Sequence, residues 1–231
     1  MNRQQSLRYL PGLDGLRAVA VIAVILYHAN KSWLSGGFLG VEVFFVISGY
    51  LITMLLINES QENGKIDFRA FWIRRARRLL PALWTLLVGV TTYCALFERD
   101  TLGSLRGDVV AAFVYGFNWF QIWVGTSYFS AFGLVPLRHL WSLAVEEQYY
   151  IVWPLVMFVL LRRIRPKTLP ILGLVFTAFA IAIAVATALI YRTGPIDTFA
   201  NTPEQYMSIF GHRVVRIDFL YLGTITRASG L

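Results

Sequence analysis

The sequence has few charged residues and a single cysteine. Charged side chains make up 15% of its 231 residues, whereas they make up about a quarter of an ordinary soluble domain. The one cysteine, Cys94, excludes an intrachain disulfide framework. The sequence also contains no glycine-rich phosphate loop, no Cys/His metal-ligand spacing and no Gly-x-Ser-x-Gly nucleophile elbow. Its histidines are scattered, so the sequence predicts no metal site.

Apolar residues, by contrast, are abundant and fall in long blocks. They make up 57% of the chain, and the mean hydropathy is +0.59. A helix needs about 20 mainly apolar residues to cross a bilayer. Segments that approach this length are 13–31, 37–57, 79–97, 109–124, 140–161 and 168–191, with a further one beginning near 217. The sequence therefore predicts an all-α polytopic membrane protein, a helical bundle of about six to seven transmembrane segments.

The net charge of +8 favours a defined orientation in the membrane over nucleic-acid binding. The N-terminal segment and the polar 58–78 connection are both basic, and two spans separate them, so both are expected on the cytoplasmic side. The side of the membrane on which the basic loop 162–167 lies depends on the short segment 109–124. If that segment spans the membrane, the loop lies outside; if it is re-entrant, the loop lies inside.

Arg17 and His28 lie in the first apolar segment, eleven residues apart. This spacing is three helical turns, so both side chains share one helix face about 16 Å apart along the axis. Ionisable groups inside a span usually face the bundle interior, and imidazole suits proton transfer near neutral pH. We expect Arg17 at the cytoplasmic end and His28 deep in the membrane. Spacing alone equally fits a structural role, in which Arg17 reaches lipid phosphates and His28 bonds a neighbouring helix.

Arginines cluster directly before the third apolar segment, at Arg74, Arg75, Arg77 and Arg78. The pairs Arg75/Arg78 and Arg74/Arg77 are each three residues apart, so either pair can share a helix face. Guanidinium groups suit phosphate binding. Cytoplasmic anchoring of the span explains such arginines as well.

Carboxylates also occur inside apolar segments. The adjacent Glu146 and Glu147 should point about 100° apart on a helix, so we expect them not to face one partner. Each needs a cation, a hydrogen-bond donor or a protonated form. Glu42 raises the same question in the second segment, where it is expected to hold Arg17 or His28 in place.

Together these motifs resemble the acyltransferase-3 family of bacterial membrane O-acyltransferases. The resemblance extends in order over nearly the whole chain, and five blocks together make it specific although each alone is weak. The resembling blocks are 10–18 leading to His28, 38–52, 71–81, 139–154 and 224–228.

The resemblance implies transfer of an acyl group, usually acetyl, from cytoplasmic acyl-CoA to a hydroxyl of a glycan, a lipid-linked glycan or a small hydroxylated acceptor. It makes Arg17 and His28 the catalytic pair and assigns acyl-CoA binding to Arg75 and Arg78, with Arg74 and Arg77 as an equally spaced pair. The implied location is the bacterial plasma membrane, multi-pass, with a cytoplasmic N-terminus. Family members have about ten membrane helices, so residues 1–231 are expected to be the N-terminal part of a longer membrane domain.

In this interpretation His28 acts as general base or accepts the acyl group, and Asp14 or Glu42 orients its ring. Two alternatives remain open at this point. One is a proton-coupled transporter of a glycan precursor, in which His28, Glu146 and Glu147 form a proton relay. The other is an inactive, truncated paralogue.

Overall fold

A computed structural model describes residues 11–30, 32–125, 135–163, 169–194 and 199–227. Within these ranges five helices are long and apolar enough to cross a membrane. They are α1 (Pro11–Ala29), α2 (Gly40–Asn63), α3 (Phe68–Phe97), α6 (Leu140–Arg163) and α7 (Leu169–Ile190). The predicted helical membrane class is confirmed, but the described residues contain five such helices rather than six or seven.

The predicted 58–78 connection is wrong, because two helices occupy most of it. Helix α2 continues to Asn63 and ends at Gly64, which adopts the left-handed conformation (φ 68°) that favours glycine at a helix end. Helix α3 already begins at Phe68, where a side-chain oxygen of Asp67 accepts a hydrogen bond from the Ala70 N–H at 2.9 Å. The arginine cluster therefore lies in the first turns of α3 and not in a loop.

The segment 109–124 is not one spanning helix. It consists of the end of α4 (Leu102–Phe113) and of α5 (Phe117–Val124), helices of only about 18 and 12 Å at 1.5 Å per residue. Neither approaches the roughly 30 Å of a bilayer's apolar core. The break lies at Val114–Gly116, where Tyr115 has a positive φ of 53°.

Helix α5 turns back onto α4 after this break. The Phe120 ring packs so closely on Gly107 that a Cβ there would lie 2.5 Å from its Cζ. One residue further along both helices, the Gln121 amide donates a hydrogen bond of 3.0 Å to a buried Asp108 oxygen. The two helices form a helical hairpin, which favours the re-entrant alternative for this segment.

A β-hairpin interrupts the predicted loop 192–216. Strands β1 (Tyr206–Ile209) and β2 (His212–Val215) pair antiparallel, with Ile209 opposite His212. The two-residue turn at Phe210 and Gly211 has positive φ angles of 48° and 81°, as tight hairpin turns require. The segment predicted to begin near 217 is described as two short helices, α8 (Arg216–Leu222) and α9 (Thr224–Arg227).

The chain divides into two compact units, one of residues 1–66 with 152–168 and 230–231, the other of 67–151 with 169–229. In the first unit α1 and α2 run antiparallel and touch through glycine. A Cβ at Gly40 would lie 2.5 Å from the Ala20 carbonyl oxygen and 2.8 Å from Val24 Cγ2, and one at Gly37 would overlap the Ala23 carbonyl oxygen. Close backbone contact of this kind is the usual packing between membrane helices.

Candidate functional site

Helix α1 carries Arg17 and His28 without interruption, so their predicted position on one helix face is confirmed by its geometry. The predicted depth of His28 in the membrane stays a prediction. His28 is the second-last residue of α1 and is exposed. Arg17 lies in the second turn, with Nη1 3.8 Å from an oxygen of Asp14.

The His28 ring is held by its own helix. Nδ1 lies 2.8 Å from the carbonyl oxygen of Val24. A carbonyl oxygen only accepts hydrogen bonds, so Nδ1 carries the proton and the neutral ring keeps its lone pair on Nε2. The Tyr27 ring packs edge-on at 5.3 Å between centroids. The geometry thus fixes which nitrogen of His28 is able to accept a proton.

Glu42 lies in the first turn of α2 and is half-buried. It follows Gly40, whose backbone packs against α1, by two residues. Arg17, His28 and Glu42 therefore belong to the same compact unit. A direct role of Glu42 in holding either of the other two stays a prediction.

Arg75 of α3 lies in the other unit and forms a close ion pair with Glu147. Its Nε is 2.8 and 3.1 Å from the two carboxylate oxygens of Glu147, and its Nη2 is 2.6 Å from one of them. Both side chains are largely buried, at 22% and 13% exposure. Paired forks of this kind are among the stronger charge-assisted interactions in proteins.

Glu146 faces the same arginine, which contradicts the expectation that adjacent carboxylates have no common partner. One of its oxygens lies 3.9 Å from Arg75 Nη2 and accepts a 2.6 Å hydrogen bond from the Tyr150 hydroxyl. The Tyr150 ring also stacks 3.3 Å from the Arg75 guanidinium carbon. The Arg75 side chain approaches both carboxylates, although Glu146 and Glu147 leave the α6 helix about 100° apart.

The remaining arginines of the cluster have a different setting. Arg74, Arg77 and Arg78 are exposed, whereas Arg75 is half-buried. Among the residues that the structure describes, neither Arg77 nor Arg78 has a carboxylate within 4.0 Å. The four arginines, which look uniform in sequence, therefore differ: Arg75 is half-buried and paired with Glu147, whereas Arg74, Arg77 and Arg78 are exposed.

Sequence motifs did not predict a partly buried network of side-chain amides around Gln148. The Gln148 side-chain N–H groups donate to the Tyr115 carbonyl (2.7 Å) and to Asn118 Oδ1 (2.9 Å). Its oxygen accepts from Trp119 at 3.1 Å and from the Thr224 hydroxyl. The signal in the sequence was a pair of amides, Asn118 and Gln148, inside apolar segments, where polar groups need partners.

The described residues contain no group of three or more His, Cys, Asp or Glu side chains placed to hold a metal ion.

Comparison with known proteins gives consistent matches. Residues 10–216 match the family model described as an acyltransferase domain. The O-acetyltransferase OatA of Staphylococcus aureus strain NCTC 8325 is 47% identical over 194 residues, which cover 84% of this chain and 32% of that protein. OatA of strain COL matches equally, and protein SACOL0978 of the same strain is 50% identical over 165 residues, 71% of this chain and 27% of its own length. The chain thus spans about a third of the length of these relatives. No solved structure matches it.

Proposed function

This chain belongs to the acyltransferase-3 family, and we propose that it forms the membrane part of an O-acyltransferase. In this proposal the donor is cytoplasmic acyl-CoA, with acetyl as the acyl group because the relatives are named O-acetyltransferases. The acceptor is a hydroxyl of a glycan, a lipid-linked glycan or a small hydroxylated molecule. The observation that carries the proposal is the hydrogen bond between His28 Nδ1 and the Val24 carbonyl, which leaves Nε2 as the proton-accepting nitrogen of the neutral ring at the exposed end of α1.

His28 Nε2 acts as the general base in the proposed reaction. It takes the proton of the acceptor hydroxyl while the hydroxyl oxygen attacks the thioester carbonyl carbon. The tetrahedral intermediate then collapses, the C–S bond breaks, and the imidazolium returns the proton to the departing thiolate. The new ester and free coenzyme A are the products. Since Val24 already sets the tautomer, Asp14 and Glu42 are left to tune the charge around Arg17 and the ring rather than to orient it.

In this proposal the exposed arginines of the cluster, Arg74, Arg77 and Arg78, bind the donor phosphates. Their exposed guanidinium groups present the donors that phosphate oxygens need. Glu146 and Glu147 support the same segment through Arg75. That role replaces the proton relay of the transporter alternative, because Arg75 and Tyr150 already bind both carboxylates.

The α4–α5 hairpin supports a specific orientation. If it enters and leaves on one side, then α3 runs outward, α6 runs inward and α7 runs outward again. The N-terminal segment, the start of α3 and the loop 162–167 are then all cytoplasmic, which gathers the basic segments on the side that the positive-inside rule requires.

This orientation is testable by thiol labelling. In a Cys94→Ser background, Arg163→Cys is expected to react with a membrane-impermeant maleimide only after the membrane is opened. Phe210→Cys, at the tip of the β-hairpin and 95% exposed, is expected to react in intact cells. Labelling of both positions from the same side would contradict the orientation.

The enzymatic proposal is tested by His28→Ala in the full-length protein, reconstituted in liposomes with acetyl-CoA and candidate glycan acceptors. Loss of the base should lower acceptor-dependent CoA release by at least about a hundredfold. His212→Ala, at a histidine of the β-hairpin, is the matched control and should keep its activity. Undiminished turnover in a folded His28→Ala protein would exclude His28 as the base. Gradient-driven uptake of the glycan without CoA release would favour the transporter.

A further inference from the structure

The arginines that sequence treats as one phosphate-binding motif differ in how much of each guanidinium group is available. The Nε–Nη2 edge of Arg75 is used by Glu147, and its face is covered by the Tyr150 ring. A bidentate arginine–phosphate contact uses the same kind of edge. While the pair with Glu147 persists, only the Nη1–Nη2 edge of Arg75 is left for a phosphate, and Nη2 already faces Glu146 at 3.9 Å.

The charge around Arg75 points the same way. Its Nη2 faces two carboxylates, Glu147 at 2.6 Å and Glu146 at 3.9 Å. An anionic phosphate brought to this position would meet carboxylate charge at close range in a partly buried setting, where repulsion is poorly screened. The two carboxylates neutralise the charge of Arg75 and disfavour the binding of a phosphate at the same place.

Arg78 has the opposite properties. It is exposed, and within the described part of the chain no carboxylate lies within 4.0 Å of it. On the α3 helix it follows Arg75 by three residues, which places it about 60° around the axis and one turn further along. Arg77 lies about 160° from Arg75. The contacts that fix the rotation of α3 about its own axis therefore also set the direction in which Arg78 points.

Three contacts fix that rotation against α6. Besides the Arg75–Glu147 pair and the Tyr150 stacking, the Trp72 ring N–H donates to the Tyr150 carbonyl at 3.2 Å. Trp72 and Arg75 are three residues apart and lie on the same side of α3. Their partners are likewise three residues apart on α6, so the two helices are held in one register.

We infer, on the basis of the proposed function, that the Arg-x-x-Arg motif is divided: Arg78 binds a phosphate of acyl-CoA, whereas Arg75 with Glu147 is a positioning pair that aims Arg78. Arg75 touches no substrate in this arrangement. Its effect on the donor passes through the rotation of α3.

The first experiment measures acetyl-CoA affinity for the full-length protein in nanodiscs. Arg78→Gln should weaken binding by about tenfold, the usual size of one lost charge-assisted contact. Arg69→Gln is the matched control, since it removes the same charge from an exposed position on the same helix, and it should leave the dissociation constant within about twofold. Equal weakening by both substitutions would show a diffuse charge effect and would overturn the assignment of Arg78.

The second experiment uses the opposite signs that two roles of Arg75 predict for Glu147→Gln. If Arg75 is a phosphate ligand, removing the competing carboxylate charge tightens acetyl-CoA binding. If Arg75 is the positioning residue, the same change loosens the register of α3 and weakens binding by a few fold. Tighter binding would therefore overturn the inference.

The exchange Arg75→Glu/Glu147→Arg provides the rescue. It restores an ion pair at the same place but leaves no cation at position 75, so it should recover most of the affinity that Arg75→Gln loses. A stable exchange protein that still fails to bind acetyl-CoA would assign the phosphate to Arg75. Absence of acetyl-CoA binding in every form, the unsubstituted protein included, would instead refute the proposed function and the inference with it.

Discussion

The two compact units differ in how far along the sequence their polar side chains find hydrogen-bond partners. In the α1–α2 unit, Arg17 and His28 contact groups three or four residues away on their own helix, and both side chains keep access to their surroundings. In the other unit, Arg75 and Gln148 bind residues far away in sequence, and Gln148 uses both of its N–H groups and its oxygen there. These contacts join distant segments of the chain, whereas those of Arg17 and His28 described above are local.

This difference separates two kinds of intramembrane polar residue that look alike in sequence. A group that reacts needs a fixed orientation and a spare lone pair or proton, which one local bond to a backbone carbonyl provides. A group that holds helices together needs all of its partners, because an unpaired polar atom in a membrane is costly. The Nδ1–Val24 bond gives His28, the proposed base, such a fixed orientation, whereas Glu147 and Gln148 bind residues of other helices.

The contrast between the two units is tested most directly by a substitution that separates α1 from α2 without changing a polar side chain. Gly40→Leu should do this, because even its Cβ would lie 2.5 Å from the Ala20 carbonyl oxygen. We expect a loss of roughly 3 kcal/mol of stability, at the upper end of typical overpacking costs. Thermal unfolding in detergent and acceptor-dependent CoA release both report the change, since the backbone that carries His28 would move.

Gly89→Leu is the control for this prediction. Gly89 lies in α3 with nothing near its would-be Cβ, so a leucine there should be tolerated and should even favour the helix slightly. If Gly40→Leu unfolded at the same temperature as Gly89→Leu, then close packing would not be what positions α1.

A smaller effect is expected from the amide network of the other unit. Gln148→Leu removes the partners of Tyr115, Asn118, Trp119 and Thr224 at once. Interhelical hydrogen bonds in membranes contribute on the order of 0.6 kcal/mol each, so the loss of four is expected to cost roughly 2.4 kcal/mol. The unfolding temperature should fall, and α5 should become more sensitive to limited proteolysis.

Ser142→Ala provides the comparison on the same helix. Among the described residues, the Ser142 hydroxyl bonds only the nearby His139 carbonyl, at 3.1 Å, and its loss should cost less than about 0.5 kcal/mol. If the two substitutions lowered the free energy of unfolding equally, the hydrogen bonds of Gln148 would contribute no more than an ordinary local contact. The contrast between the two units would then be lost.

Sequence patterns predicted the spans well, since a run of apolar residues and a helix's own backbone hydrogen bonds are local properties. They failed where chain direction changed. The charges of Arg74–Arg78 suggested a loop, yet Asp67 caps a helix that contains them, because long arginine side chains do not prevent helix formation. The re-entrant alternative for 109–124 was left open, but the position of its turn was not predicted, because a tyrosine such as Tyr115 rarely adopts a positive φ.

The candidate site was predictable in part, for the same reason. The shared face of Arg17 and His28 follows from a spacing of eleven residues on any straight α-helix, and the resemblance of the surrounding motifs supplied the chemistry. The position of His28 at the end of α1 depended on where the helix stops, which the spacing did not reveal.

The amino-acid sequence by itself determined that this is a helical membrane protein with basic segments next to its apolar helices, because hydropathy and charge act on each segment separately. Only the tertiary structure decided that Arg75 belongs to Glu147, that Arg78 faces outward and that α5 returns onto α4. Those pairings join residues 72 positions apart in one case and 13 in another. No periodicity of a single helix encodes them, because they depend on how one helix is rotated against the next.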